Sequence, residues 1–183
     1  KANTNYERAL EGVKVLDFSW WLAGPFITSY LGAFGAQVIR VESETHPDFL
    51  RMVSPFKDGV KGLNRAYKFC CGGSSNKYSM ALNMGTPKAM AIIEKLVAWA
   101  DIVAENFTPG TMKKWGLAYE DLRKIKPDII MLSTSQQGQT GPYSHFAGFG
   151  NHGTAACGIA HLSGWPDREP ALGIVGYTDI ISP

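Results

Sequence analysis

The sequence has no strong charge of either sign, no long apolar run and few cysteines. Its 183 residues carry 18 Lys and Arg against 16 Asp and Glu, a net charge of +2, and the basic residues are scattered. A basic surface able to hold nucleic acid is therefore not predicted. No apolar run approaches the roughly 20 residues of a membrane-spanning helix, and no signal-peptide pattern opens the chain. We expect a cytoplasmic protein with neither a nucleic-acid nor a membrane partner.

Cysteine and histidine are too sparse for a disulfide framework or a metal site. The cysteines are Cys70, Cys71 and Cys157, and because the first two are adjacent we expect reduced thiols. The four histidines show no spacing typical of metal ligands. We expect no metal ion and no permanently bound cofactor.

Alternating strand and helix patterns indicate an α/β fold. Residues 13–18 form a buried strand pattern, Gly24-Pro25 begins a helix that Gly35 ends, and 36–42 is a second β-branched run. This β-α-β start predicts parallel strands joined by a right-handed crossover. Further strands are predicted at 79–82, 102–105 and 129–133. The expected fold is a Rossmann-like, doubly wound and mostly parallel sheet, in one domain.

The remaining helices are predicted from caps and apolar spacing. Thr86 and Pro87 suit the start of a helix whose apolar face is Met90, Ile93, Leu96, Val97 and Ala100. Helical turns are expected at 111–115 and 119–125, and a small-residue helix at 153–160 before a Pro-rich loop. Residues 43–75 lack periodicity and are expected to form a long surface excursion, of a kind that is often functional.

Two segments that follow predicted strands suit ligand binding, since ligands bind at the carboxyl ends of strands in open α/β sheets. Residues 20–25 offer small residues beside a helix N-terminus, although a tight turn alone would explain them. Residues 105–115 combine the Asn106 amide, aromatic rings and the Lys114 cation, a mixture that suits a nucleotide, although a solvated lysine loop is common. No Gly-x-Gly-x-x-Gly pattern is present, so a dinucleotide site is disfavoured.

Asp179 is the candidate nucleophile. It precedes an apolar helix start near the end of the sequence. A carboxylate can attack a thioester, and covalent catalysis splits acyl exchange into easier steps. An aspartate that caps a helix is the simpler explanation. Both roles are compatible, because a helix N-terminus would lower the pKa of the carboxyl group and keep it ionised.

Several blocks together resemble class III CoA-transferases. They occur in the family's order over Leu10 to Pro183, and they are Leu22-Ala23-Gly24-Pro25, Val38-Ile39-Arg40-Val41-Glu42, Val103-Ala104-Glu105-Asn106-Phe107, Gly138-Gln139-Thr140-Gly141-Pro142 and Tyr177-Thr178-Asp179-Ile180-Ile181-Ser182. The resemblance implies that residues 1–183 are the CoA-binding α/β large domain, with a second domain absent from this chain. It also implies acyl-CoA and a carboxylic acid as substrates, and an interlocked homodimer or a heteromer with a related subunit.

The resemblance assigns roles to particular residues. Asp179 is implied as the nucleophile, which forms a mixed anhydride and then an aspartyl-CoA thioester. Phe149 and Gly150 are implied to line the substrate pocket. The implied CoA-binding residues are Trp21, Leu22, Ala23, Arg51, Leu82, Asn106, Phe107, Thr111, Lys114 and Trp115. For Arg51, which belongs to an Asp-x-x-Arg segment, surface salt bridging is the simpler explanation.

Three departures from the formyl-CoA transferase branch bear on substrate and affinity. Leu22 stands in place of a glutamine and Tyr78 in place of an arginine, so we expect a larger or more apolar acid than oxalate. Lys114 stands in place of an arginine and predicts a looser phosphate contact, because lysine lacks the planar guanidinium fork.

Two alternatives remain open. In the racemase branch of the family, a histidine and an aspartate exchange an α-proton, but Phe149 occupies that histidine position and cannot carry a proton. His152 is nearby but out of register. The second alternative is a non-catalytic CoA-binding subunit that would keep Asn106, Phe107 and Lys114 without using Asp179.

Overall fold

The computed structural model describes residues 7–63, 65–66, 73–171 and 176–181, which include a five-stranded sheet. The sheet order is β3-β2-β1-β4-β5, and each neighbouring pair is parallel. The predicted doubly wound α/β class is confirmed. The strands are β1 (Lys14–Asp17), β2 (Gln37–Glu42), β3 (Lys77–Ala81), β4 (Ile102–Glu105) and β5 (Ile130–Ser133).

Among the described residues, short helices and two 3₁₀ turns connect the strands. The turns are Phe49–Met52 and Lys57–Gly59. The helices of the described residues are α1 (Ala23–Ala33), α2 (Pro87–Trp99), α3 (Thr111–Lys114), α4 (Tyr119–Ile125), α5 (Gly150–Ala156), α6 (Ile159–Leu162) and α7 (Tyr177–Ile181).

The two longest helices begin and end near the predicted residues. Pro25 lies in the first turn of α1, and Gly35 follows its end with a φ of 113° that favours glycine. Pro87 is the first residue of α2. Thr86 occupies the N-cap position, but its hydroxyl donates to the Asn83 carbonyl instead of capping the helix.

Two predicted boundaries are wrong. Strand β3 begins at Lys77, two residues before the predicted Ser79, because it pairs with β2 from Val38 onward. The single helix predicted at 153–160 is two helices, α5 and α6. They are separated at Gly158, whose φ of 80° cannot continue a right-handed helix.

The core lies on both faces of the sheet. Val15 and Leu16 belong to different buried clusters, because successive strand side chains point to opposite faces. The predicted apolar face of α2 packs into the larger cluster, where Ile93 and Val97 are fully buried. A parallel sheet covered on both faces leaves its carboxyl edge as the open side for a ligand.

The excursion after β2 is only partly a surface segment. Asp48 and Leu50 are buried within it, and it contains the Phe49–Met52 turn. Cys70 and Cys71 lie outside the described residues, and Cys157 is a free, exposed thiol. Within the described ranges, no helix has the length and apolar character needed to cross a membrane.

Candidate active site

The site lies at the carboxyl edge of the sheet, where the strand order reverses between β1 and β4. The loops that follow these two strands are joined by the side chain of Asn106. Its Nδ2 donates to the Trp20 carbonyl, and its Oδ1 accepts from the Trp20 N–H, both at 2.7 Å. The Asn106 amide, predicted to meet a ligand, therefore holds the loop that forms one wall of the site.

A cleft of about 800 Å³ opens beside these loops. It brings together seven of the residues predicted from the sequence, namely Trp21, Leu22, Ala23, Asn106, Phe107, Phe149 and Asp179. Leu22, one of the departures from the formyl-CoA transferase branch, thus borders the cleft. Tyr78, another departure, is exposed on β3 and lines neither this cleft nor the smaller pocket described below.

Asp179 does not cap its own helix as predicted. It is the third residue of α7, and its backbone N–H donates to the Gly176 carbonyl at 2.9 Å. Its carboxylate instead faces α5, where Oδ2 accepts from the N–H of Gly150, the first residue of that helix, at 3.3 Å. The helix N-terminus that donates to the carboxylate is therefore that of α5, not that of α7.

Two glycines make room for the Asp179 carboxylate. A Cβ atom on Gly150 would lie 2.6 Å from Asp179 Oδ2 and 2.5 Å from the Gly176 Cα, and one on Gly176 would lie 2.5 Å from the same Oδ2. Real Cβ atoms essentially never approach other atoms so closely. Glycine at both positions allows α5 and α7 to enclose the carboxylate.

The electrostatic environment of Asp179 differs from the prediction. Burial raises the pKa of its carboxyl group above the ordinary 3.8, and the hydrogen bond from Gly150 only partly opposes this shift. The N-terminus of α5 does lower the pKa through this hydrogen bond, but the expected net lowering is wrong because burial has the larger effect. Loss of hydration outweighs one long hydrogen bond.

A second, smaller pocket of about 340 Å³ lies on the other side of Phe107. Four predicted CoA-binding residues line it, namely Leu82, Phe107, Thr111 and Trp115. The Phe107 ring contacts the Trp20 ring at a centroid distance of 6.2 Å and the Trp115 ring at 5.2 Å, both edge to face. Phe107 therefore borders both cavities.

Three predicted residues line neither cavity. Lys114 is exposed on α3, next to Trp115. Gly150 acts through its N–H on Asp179. The Arg51 guanidinium contacts both carboxylate oxygens of Glu42, with Nε at 2.8 Å from each. The simpler explanation for Arg51 was a salt bridge at the surface. Arg51 does form an ion pair with Glu42, but the pair is mostly buried.

A buried carboxylate fixes the conformation of Trp21. Asp48 is fully buried, and its Oδ2 accepts from the Trp21 N–H at 3.0 Å and from the Arg40 guanidinium. Trp21 has a φ of 61°, which is uncommon for a residue other than glycine. Its ring stacks on Phe49 at a centroid distance of 4.5 Å and contacts Phe149 at 5.3 Å. By holding Trp21, the Asp48–Arg40 ion pair supports an aromatic wall of the cleft.

A second buried ion pair anchors α1 to the sheet. Lys77 Nζ donates to Asp17 Oδ2 and to the Pro25 carbonyl, both at 2.8 Å, and to Thr28 Oγ1 at 2.6 Å. Burial lowers the pKa of Lys77, and the adjacent Asp17 carboxylate opposes this shift. The contacts fix the first turn of α1, and with it Leu22 and Ala23, at the mouth of the cleft.

His152 is a satisfied histidine at the start of α5. Its Nδ1 accepts from the Phe149 N–H at 3.0 Å. The ring lines the cleft, but one nitrogen is committed to capping the helix. Among the described residues, no group of three or more His, Cys, Asp or Glu side chains could hold a metal ion.

The sequence analysis missed several polar residues of the cleft. Gln136 and Gln137 follow β5, and Thr178 donates to the Gly150 carbonyl at 2.8 Å. The Ser135 hydroxyl oxygen is buried and has no hydrogen-bond partner among the described residues. The rule applied to the earlier strands, that ligands bind after the carboxyl ends, would have drawn attention to 134–137 as well.

Comparison with known proteins places the chain in a family. The model of CoA-transferase family III matches residues 10–183. The chain is 40% identical over 163 residues to the succinyl-CoA–D-citramalate CoA-transferase of Chloroflexus aurantiacus, covering 89% of this chain and 39% of that protein. It is 38% identical over 180 residues to the human succinyl-CoA:glutarate CoA-transferase, covering 98% and 40% respectively.

A solved structure agrees with these matches. The CAIB/BAIF family protein from Brucella suis aligns with a TM-score of 0.84 and 36% identity, over 96% of this chain and 46% of that one. The chain spans about two fifths of the length of the curated relatives named above. A family match over nearly all of the sequence, together with the fold and the arrangement of the motif loops, shows that the chain belongs to CoA-transferase family III.

Proposed function

We propose that this chain supplies the nucleophile of an enzyme that moves CoA between carboxylic acids through a covalent aspartyl-CoA thioester on Asp179. The observation that carries the proposal is the half-buried Asp179 carboxylate in the cleft that the motif loops also line. Desolvation makes a carboxylate a stronger nucleophile, because fewer hydrogen bonds must be broken when it attacks.

The Gly150 N–H gives the two carboxylate oxygens different roles. It donates to Oδ2, which leaves Oδ1 to attack the thioester carbonyl of the donor acyl-CoA. The C–S bond breaks, CoA departs as a thiolate, and the donor acyl group and Asp179 form a mixed anhydride. Oδ2 is now the carbonyl oxygen of the aspartyl group.

The thiolate then attacks the aspartyl carbonyl carbon. Negative charge develops on Oδ2, where the Gly150 N–H can stabilise it as an oxyanion donor does. The anhydride C–O bond breaks, the donor acid leaves as a carboxylate, and Asp179 carries CoA as a thioester. The acceptor carboxylate reverses both steps, so that acceptor acyl-CoA leaves and Asp179 is restored without net proton transfer.

CoA is proposed to extend across both cavities, with its thiol end near Asp179. The nucleotide end suits the smaller pocket, because the rings of Trp20, Phe107 and Trp115 offer faces for adenine. Lys114 lies next to Trp115 and supplies a cation for a phosphate group. In the structure the Arg51 guanidinium contacts Glu42, and its contact with CoA remains a prediction from the family resemblance.

The relatives suggest the class of acid. Their names specify succinyl-CoA as donor and D-citramalate or glutarate as acceptor. We propose succinyl-CoA as the donor here and a dicarboxylic acid of four or five carbons as the acceptor. Assembly as a homodimer, or as a heteromer with a related subunit, belongs to the same proposal.

The test is to trap the aspartyl intermediate. The longest form of the protein that can be expressed is incubated with succinyl-CoA and hydroxylamine, and its peptides are mapped by mass. We expect a hydroxamate on the peptide that contains Asp179, and none in the Asp179→Asn variant. Asp128→Asn, at the opposite end of the sheet, is the matched control and should still be modified at Asp179.

Other outcomes would select an alternative. Unmodified Asp179 in protein that transfers CoA would disprove the covalent route. Binding of CoA without transfer to any acid would favour a non-catalytic subunit. Exchange of an α-proton for deuterium in a 2-methylacyl-CoA would favour the racemase.

A further inference from the structure

The Gln136 side chain packs in a defined position against the surface of α5. A Cβ atom on Gly148 would lie 2.9 Å from Gln136 Cγ, and one on Gly153 would lie 2.4 Å from Gln136 Nε2. A methyl group at either glycine would therefore displace the Gln136 side chain. The two glycines leave a shallow channel in which this side chain lies along the wall of the cleft.

The Gln136 amide and the Asp179 carboxylate lie against neighbouring turns of α5. Gly153, next to the amide, is one turn beyond Gly150, next to Asp179 Oδ2. Positions three residues apart on one face of a helix are about 5–6 Å apart. An acyl group attached to Asp179 can therefore bring its second to fourth carbons within reach of the amide.

The amide has hydrogen-bonding capacity to spare. Gln136 makes no hydrogen bond to any described residue, although a glutamine side chain offers two N–H donors and one acceptor oxygen. The nearby Thr178 hydroxyl already donates to the Gly150 carbonyl. The adjacent Ser135 hydroxyl oxygen, in the same cleft wall, is buried and also lacks a partner. Polar groups left without partners inside a cleft are suited to a polar ligand.

We propose that Gln136 determines substrate specificity by donating a hydrogen bond from Nε2 to a second polar group of the acid, above all a second carboxylate. The inference rests on the proposed CoA transfer at Asp179 and adds the residue that distinguishes a dicarboxylic from a monocarboxylic acid. The glutamine is neutral, so it binds a carboxylate without neutralising Asp179.

The test compares two acceptors of equal chain length, glutarate and valerate, with succinyl-CoA as donor. Gln136→Met keeps the length of the side chain and removes its amide. We expect its kcat/KM for glutarate to fall about ten- to a hundredfold, as for a lost hydrogen bond to a charged group, with valerate changed less than about threefold. Gln136→Glu keeps the shape, places like charges together, and should discriminate against glutarate still more strongly.

Gln37→Met is the matched control, since Gln37 is exposed at the opposite end of the sheet and should not affect selectivity. Equal losses for both acids would overturn the assignment and indicate a general role in catalysis or folding. An unchanged preference in both Gln136 variants would also overturn it, as would a wild-type protein that does not prefer glutarate. Transfer to neither acid by the wild-type protein would instead refute the proposed function, and the assignment with it.

Discussion

The side chain of Asn106 forms two reciprocal hydrogen bonds of 2.7 Å with the backbone of Trp20. They join the loop after β1 to the loop after β4 across the crevice where the strand order reverses. Gly24 allows this approach, because a Cβ atom there would lie 2.9 Å from Asn106 Cγ and 2.5 Å from Ser19 Cβ. The family motifs that contain Gly24 and Asn106 thus form one structural unit.

Asn106→Ala should weaken both the fold and CoA binding. The variant leaves the Trp20 N–H and carbonyl unpaired in a partly buried loop, so we expect the free energy of unfolding to fall by about 1–3 kcal/mol. The affinity for CoA should fall as the Trp20 loop loses its position. Chemical denaturation and calorimetry with CoA measure the two effects. The control is Asn151→Ala, exposed on α5, and an effect of equal size there would argue against the special role of Asn106.

Asp179→Asn should be at least as stable as the wild-type protein at neutral pH. Burial raises the pKa of Asp179, so its protonated form is favoured in the folded state. The resulting stabilisation is present below the ordinary pKa of 3.8 and is lost as the pH rises through the raised value. The variant avoids this loss. The stability of Asp179→Asn relative to the wild type should therefore increase from acid to neutral pH, with exposed Asp128→Asn measured as the control.

The raised pKa of Asp179 also predicts how the activity falls at low pH. Attack requires ionised Asp179, so kcat/KM for CoA transfer should fall as the pH drops through the raised pKa of this group. We expect the midpoint above 3.8, the ordinary value for aspartate. A profile measured with a donor and an acceptor whose own pKa values lie below this range would check it. A midpoint at or below 3.8 would contradict the proposed environment.

Gly150→Ala should inactivate the site without removing a functional group. The new methyl group would lie 2.6 Å from Asp179 Oδ2 and 2.5 Å from the Gly176 backbone, so α5 and α7 must separate. We expect a loss of about 1–3 kcal/mol of stability and a fall in hydroxamate formation at Asp179. Gly62→Ala is the control, because the nearest atom to its new methyl group is a flexible Arg65 side-chain carbon at 3.3 Å. Normal trapping in Gly150→Ala would refute the role given to this glycine.

Glu42→Gln should destabilise the protein in a pH-dependent manner. Burial opposes ionisation of Glu42, but hydrogen bonds from Arg51 and the Asp48 N–H, together with two arginine charges, hold its pKa below the ordinary 4.5. Stability from a lowered pKa is present above 4.5 and lost as the pH falls through the folded-state value. The variant should lose about 1.5–3 kcal/mol at neutral pH and differ less from wild type in acid. Exposed Glu94→Gln is the matched control and should lose much less stability at neutral pH.

The local sequence pattern was sufficient to predict those structural features that depend only on residues close together in the chain. The β-branched run of β2, the proline at the start of α2 and the glycine after α1 impose their conformations through sterics within a few residues, and each was predicted correctly. The order of the motif blocks was likewise enough to identify the family. The exact start of β3 was not predictable, because the pairing with β2 decides which residues belong to the strand.

The environment of Asp179 was decided only by the tertiary structure. Its residue type suggested a nucleophile, but its hydrogen-bond partner is Gly150, 29 positions earlier, and its raised pKa comes from burial between α5 and α7. The position of the Gln136 side chain could not be predicted either, because it depends on Gly148 and Gly153, which lie elsewhere in the sequence. The sequence by itself determined the strands, the longer helices and the family. Long-range packing determined which side chains share the cleft and how strongly water is excluded from them, because burial and distance are properties of the folded chain alone.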